Sequence, residues 1–403
     1  MLKHWVWLAT RKGVGINGRA ALLRLFGSAE QIYAMDERAY LAEEQFDRRW
    51  LNGLSDKSLV GAEAMIAKCD DLGIRLLTYA DEEYPNRLRN IHNPPAVLYY
   101  RGTLPDFDNE AVIGVVGSRR CSAYGLLHAK QFSKLIAASG GIVVSGGARG
   151  IDTMALYGAL ESAMPVVCVV GNGLDVTYPR ENKRLFEEIA QHGCMISEFP
   201  PSTPPEAGNF PVRNRIISGL SLGVLVVEAP EKSGALITAN HALEQGRDVY
   251  AIPGNIGVKH CEGSNRLIRE GAIMADNGWD VLRDYVYRFP DKLSDGRQKE
   301  SIERLYAQRF RNALPVYSPV AFGENSDKKH IDNPPPKTYS EEKEAELSED
   351  EKTILRLLTQ TPTLADELVA RSGIPAARLM TALTMLQIKG LAEKTAGNRF
   401  FRK

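Results

Sequence analysis

The sequence predicts an α/β protein: an extended Rossmann-like parallel sheet, with an N-terminal helical domain before it and a C-terminal winged helix after it. Three observations predict this. Short Val/Ile-rich runs alternate with helix-length segments between residues 111 and 282. Apolar residues recur at helical spacing over residues 1–80. Three short helical patterns and a hairpin signal fill the last sixty residues. Continuous apolar strands separated by helices imply a parallel sheet covered on both faces.

In the first segment, Ala20, Leu22, Leu23, Leu25 and Phe26 define one apolar helix face, and Ala62, Met65, Ile66 and Cys69 another. This is the expected domain 1–83, of the SAM or helix-hairpin-helix kind. Gly13-Val14-Gly15-Ile16-Asn17-Gly18 spells G-x-G-x-x-G, yet no second strand ending in an acidic residue follows it. The turn of a helical hairpin is the better reading. A proline-bearing segment, residues 84–104, is expected to run extended.

The core, expected over 84–284, takes its strands from the runs at 111–116, 142–144, 166–170, 194–196, 224–227 and 249–252. Residues 285–346, with Pro334-Pro335-Pro336 and an acidic stretch, read as a partly disordered linker holding one helix near residues 302–310. Residues 347–403 read as three helices and a terminal hairpin across Gly397-Asn398, a winged helix.

Composition narrows the function. Fifty basic and fifty acidic residues cancel among 403, so nucleic-acid binding requires local basic patches on a neutral body. Five scattered cysteines without a CxxC pair argue for a reducing compartment and against a zinc site. No apolar run reaches the length of a membrane span, and residues 1–9 are too short for a signal-peptide core. A cytoplasmic protein without membrane insertion is expected.

Glycine clusters sit at three strand ends: Gly117-Ser118-Arg119, then Gly146-Gly147 with Arg149, then Gly171-Asn172-Gly173. Ligands of open parallel sheets bind there, and glycines let backbone amides approach a phosphate. Any one cluster is equally well a tight turn. A fourth strand end carries Lys232-Ser233-Gly234, again suited to an anion. Arg213, Asn214 and Arg215 are placed at the first turn of a short helix, where exposed amides also favour anions. The core offers no evident row of aromatics for base stacking.

Catalysis finds no positive case. Gly219-Leu220-Ser221-Leu222-Gly223 spells G-x-S-x-G but runs from helix into strand, the reverse of a nucleophile elbow. Asp152, Asp175, Glu198 and Glu228 form no pair at a diagnostic spacing, and Asp152 is read as ordering the 146–150 turn. No catalytic residue, metal ligand or cofactor is expected. The last 56 residues carry nine Lys/Arg against six acids, thin for a sequence-specific groove reader.

These strings together resemble the DNA-processing protein DprA/Smf family. They are Gly117-Ser118-Arg119, Ser145-Gly146-Gly147-Ala148-Arg149-Gly150-Ile151-Asp152, Tyr178-Pro179, Ser197-Glu198-Phe199-Pro200, Phe210-Pro211-Val212-Arg213-Asn214-Arg215, Ser233-Gly234-Ala235-Leu236-Ile237-Thr238 and Ile252-Pro253-Gly254. The resemblance implies a single-stranded-DNA-binding protein of natural transformation that protects incoming strands, loads RecA and dimerises through its Rossmann-like core. It implies DNA contact by Arg119 and, through the later loop, Lys232, while Arg213 and Arg215 match the family's Arg-Asn-Arg. A nucleotide-processing enzyme on a Rossmann-like fold, using Asp152 or Glu198, is the alternative expectation.

Overall fold

The computed structural model describes residues 1–296, 348–359, 363–388, 391–395 and 399–402. The chain divides into two compact units, Met1–Pro319 and Val320–Lys403.

The strands of the first unit are β1 (Arg75–Thr78), β2 (Val97–Gly102), β3 (Val112–Val116), β4 (Ile142–Ser145), β5 (Val166–Val170), β6 (Cys194–Ser197), β7 (Gly223–Val226), β8 (Asp248–Ala251) and β9 (Ile273–Met274). They form one nine-stranded sheet in the order β1-β2-β6-β5-β4-β3-β7-β8-β9. From β6 to β9 every neighbouring pair is parallel, while β1 and β2 add an antiparallel edge. Successive residues of a strand point to opposite faces. Accordingly Ile113, Val115, Val143 and Cys168 join one core, and Val112, Val116, Val144 and Val169 join the other. Helices α8 (Ala123–Ala138) and α9 (Ile151–Leu160) cover the first face; α11 (Asn209–Leu220) and α12 (Gly234–Glu244) cover the second.

Chain order runs outward from β3 through β4 and β5 to β6, then returns beside β3 as β7 and continues to β9. The β3/β7 boundary is therefore a topological switch point, where open α/β sheets hold ligands.

The N-terminal helices include α1 (Leu2–Thr10), α2 (Ile16–Phe26) and α6 (Val60–Asp71). As expected, the Gly13–Gly18 string lies at a helix-to-helix turn: residues 11–15 join α1 to α2, with Gly13 at φ +79°, and Ile16 to Gly18 open α2. Helix was expected through residue 80, but α6 stops at Asp71. Gly73, at φ +63°, reverses the chain, and the amide of Ile74 bonds back to the Cys69 carbonyl at 2.8 Å. The residues that follow form β1. Trp5, Trp7, Leu22, Ile32 and Tyr40 share one core with Ala96, Val97 and Tyr99 at the antiparallel edge.

A second difference lies beyond residue 284, where a linker was expected. Tyr285, Phe289 and Leu293 are buried in the same core as α8, and the Gly296 amide bonds to Ser139 Oγ at 2.9 Å. Aromatic and apolar residues four apart give this segment a face that the sheet layer covers. The expected helix near 302–310 and the remaining linker to residue 346 lie outside the described residues.

In the second unit, helices Glu349–Leu357, Ala365–Ser372 and Ala376–Ile388 pack around Leu368, Leu379, Leu383 and Phe400. A three-stranded antiparallel sheet in the order Thr363–Leu364, Arg399–Arg402, Ala392–Thr395 completes the predicted winged helix. Its first helix starts at a Ser348/Glu351 capping box. Among the described residues, no helix is long and apolar enough to cross a membrane.

Candidate functional site

A cavity of about 690 Å³ opens where β3 and β7 end, within the size range of small-ligand sites, roughly 300–1,000 Å³. Its walls come from four loops that the sheet gathers. The loop after β3 brings Gly117, Ser118, Arg119 and Arg120; the loop after β4 brings Ala148 and leads into α9, whose first turn brings Asp152. Helix α11 brings Phe210, Arg213 and Asn214. The β7–α12 loop brings Lys232, Ser233 and Gly234, and Lys259 and His260 follow β8.

The β3 and β7 ends are tied together before any ligand enters. The Ser118 amide donates to the Glu228 carbonyl at 2.8 Å. Ser118 Oγ donates to the Arg120 carbonyl (2.8 Å) and accepts from the Arg120 amide (3.1 Å), which closes the turn on itself. Glu228 accepts from the Ser122 amide and hydroxyl at 2.7 and 2.8 Å, fixing the start of α8. Ser233 caps α12 by accepting from the Ala235 amide.

The three arginines expected near phosphate take three different places. Helix α11 begins at Asn209, four residues before Arg213, so neither Arg213 nor Arg215 stands in its first turn. Phe210 and Pro211 occupy that turn instead, where a proline costs no helical hydrogen bond. Arg213, 3% exposed, lies under the crevice. It donates to the carbonyls of Gly146 (2.5 Å) and Val169 and to Asn214 Oδ1 (3.2 Å), and so bolts together the ends of β4, β5 and α11. Burial pushes its pKa down, against the pull of Asp152. Arg215 faces away, bound to Glu198 at 2.8 Å and to the Asn93 carbonyl at 3.0 Å. Arg149 is exposed and paired with Glu181 outside the crevice. Gly147 stands beside it at φ +65°, its carbonyl accepting from Asn182 at 3.0 Å.

Only a glycine fits at position 146. A Cβ there would stand 2.5 Å from Arg213 Nη2 and 2.6 Å from Asp152 Oδ2, both held in place. Gly146→Ala is expected to lower stability by about 1–3 kcal/mol through overpacking, measured as a drop in thermal midpoint against wild type.

Asp152 behaves as expected of a turn residue, its Oδ2 accepting from the Ala148 amide at 3.4 Å. Burial raises its pKa to about 6 from 3.8, although Arg213 and Arg119 oppose the shift. The folded protein thus holds this proton to higher pH than the unfolded chain does. The stability it contributes is full below about pH 4 and is lost as pH rises through about 6. Urea unfolding between pH 4 and 7 should show wild type losing stability relative to Asp152→Asn as pH rises. Parallel curves would contradict it.

The remaining carboxylates and the G-x-S-x-G serine are committed elsewhere. Glu198 holds Arg215, Asp175 accepts from the Ser202 amide at 2.7 Å, and buried Ser221 donates to the Ile217 carbonyl. Among the described residues no group of acids, histidines or cysteines could hold a metal ion.

Arg119, Arg120, Lys232 and Lys259 are exposed around the crevice, and none forms an ion pair among the described residues. The Arg119 guanidinium lies 4.8 Å over the Phe210 ring, and Phe210 meets Tyr178 at 5.6 Å between centroids. Contrary to the sequence expectation, the core therefore has an aromatic pair at its site. Phe210, Tyr178, Arg120, Lys259 and His260 were not foreseen as site residues. For the first two, the signal available was an aromatic directly before a proline, Tyr178 in the loop after β5 and Phe210 in the first turn of α11.

The first unit is a Rossmann-like sheet with exposed cations and an aromatic pair at its switch point, and a winged helix follows it in the chain. The chain belongs to the DNA recombination-mediator protein A family, which matches residues 75–286, and the DprA winged helix domain matches residues 336–398. It is 37% identical to Protein Smf of Synechocystis sp. over 82% of this chain and 80% of that one. It is 44% identical to the DNA processing protein DprA of Streptococcus pneumoniae, over 51% of this chain and 73% of that one. The X-ray structure of DNA processing protein A from Streptococcus pneumoniae superposes with a TM-score of 0.62 at 32% identity, covering 70% of this chain and 98% of that one.

Proposed function

We propose that this recombination-mediator family member binds single-stranded DNA without sequence preference in the β3/β7 crevice. There it protects the strand and assists its loading with RecA recombinase in the cytoplasm, during natural transformation or other recombination, as a dimer formed through the core. The observation that carries the reading is the set Arg119, Arg120, Lys232 and Lys259, exposed around an aromatic pair and without an ion pair among the described residues. Cations without internal partners attract phosphates, and stacking on aromatics takes any base at about 1–3 kcal/mol each. Bases stacked inside a duplex cannot reach Phe210 or Tyr178, so the crevice favours an unpaired strand. Gly117, Ser118, Asn214, Ser233 and Gly234 shape its walls, while Gly146 and Gly147 form the turn behind them that Arg213 braces through the Gly146 carbonyl.

The enzyme reading draws no support from the carboxylates, since Glu198 is spent on Arg215 and Asp152 on the Ala148 amide. The test is affinity for oligothymidylate against duplex across a salt series. Each neutralised phosphate contributes about −0.7 to the slope of log K against log salt. Four crevice cations therefore predict a slope of roughly −3 and a clear preference for the single strand. Equal affinity for duplex would overturn the reading.

A further inference from the structure

We propose that Arg87, Arg247 and Arg288 form a second phosphate-binding site, at the edge of the sheet opposite the crevice. Arg87 lies in the short helix α7 (Asn86–Arg89) and is 6% exposed. One of its nitrogens, Nη2, donates to the carbonyls of Asp108 (3.0 Å) and Glu110 (2.8 Å), but Nε and Nη1 have no partner. Arg247, in the turn before β8, donates through Nη2 to the Arg87 carbonyl at 2.9 Å and leaves its own Nε without a partner. Arg288 is exposed, its guanidinium 5.4 Å over the Phe289 ring, and near enough for its charge to act on both Arg87 and Arg247.

One nearby carboxylate, Asp108, is already occupied by the amides of Asn86 (2.7 Å) and Arg87 (3.2 Å). Asp248 is engaged by the Tyr285 hydroxyl. Burial lowers the Arg87 pKa to about 10. The charges of Arg288 and Arg247 add to that, and Asp108 opposes it. A buried guanidinium with two idle nitrogens, crowded by two like charges, is costly unless an anion completes it. Paired guanidinium forks suit a phosphate better than a point charge does.

The site is separate from the crevice. Arg247 precedes β8 and Gly219 stands near the end of α11, so the cluster lies at the N-terminal ends of the strands. A four-residue strand at about 3.3 Å per residue puts roughly 13 Å of sheet between the two edges. A nucleotide held at Arg119 does not reach Arg247. The phosphate is either the backbone of a longer strand leaving the crevice or a free phosphate group.

The test uses the full chain and the double variant R247Q/R288Q, which leaves Arg87 and its carbonyl contacts in place. Inorganic phosphate, titrated against chloride at constant ionic strength, should raise the thermal midpoint of wild type by more than that of the variant, which keeps only the crevice response. Oligothymidylates of about 6 and about 30 nucleotides then separate the sources. If the strand supplies the phosphate, the variant binds the 6-mer normally, loses affinity for the 30-mer, and its salt slope flattens by roughly 1.4, or about 0.7 per lost contact. If the phosphate is free, the length dependence of both proteins is the same while the larger phosphate-induced shift still belongs to wild type. Phosphate acting on both proteins alike, or on neither, together with unchanged 30-mer binding, would overturn the proposal. In an Arg119→Ala background the R247Q/R288Q change should still remove the same increment of the phosphate response, so the outcome is independent of the crevice reading.

Discussion

Arg213→Ala is expected to destabilise the first unit by about 3–5 kcal/mol, chiefly because two buried carbonyls are left without their donor at about 1–3 kcal/mol each. Three losses coincide. The carbonyls of Gly146 and Val169 lose their donor, Asn214 Oδ1 loses Nε, and Asp152 is left buried without its cation. The cavity left by the side chain adds to the cost. Urea unfolding followed by circular dichroism measures it. Arg213→Lys should recover part of the loss, because it restores the charge but not the fork that serves two strand ends. A stable Arg213→Ala protein that fails only to bind DNA would instead make this guanidinium a ligand contact.

The opposite pattern is expected at the rim. Charge reversal in R119E/K232E should reduce single-strand affinity at least about 100-fold. Two charge-assisted contacts at about 1.5–3 kcal/mol each correspond to roughly 10²–10⁴ in the dissociation constant. Thermal stability should stay within about 0.5 kcal/mol of wild type, since both side chains are exposed and neither is in an ion pair among the described residues. Fluorescence anisotropy with labelled oligothymidylate reads the first quantity and calorimetry the second. Full binding by this variant would remove Arg119 and Lys232 from the interface.

These two expectations separate residues that the sequence presents as one motif. Arg213 and Arg215 stand two apart, and two positions along a helix turn a side chain to another face. One therefore reaches the strand ends under the crevice, and the other reaches Glu198 beneath Asn93. Their spacing says this once the helix is known to begin at Asn209. Arg149 sits in an apt glycine cluster but is drawn off by Glu181, a partner 32 positions away that no local pattern announces.

The strands were legible for a physical reason as well. Residues 112–116, 142–145 and 166–170 are buried on both faces, so they read as unbroken apolar runs. Strand β2 sits among prolines, and β9 is two exposed residues, so neither stands out by composition. The winged helix was legible because its local signals agree with its packing: the Ser348 cap, Gly373 in the left-handed region and the Leu379/Leu383/Leu386 stripe. Phe210, Tyr178 and Lys259 come together only because the sheet reverses its order at β3/β7, and no local pattern announces that.

The central claim is that a single strand occupies this crevice, and the most direct measurement is a structure with a short oligothymidylate bound. We expect a thymine against Phe210 and Tyr178, with its flanking phosphates on Arg119 and Lys232. An oligonucleotide bound on the N-terminal helices or the winged helix, with the crevice empty, would contradict the account.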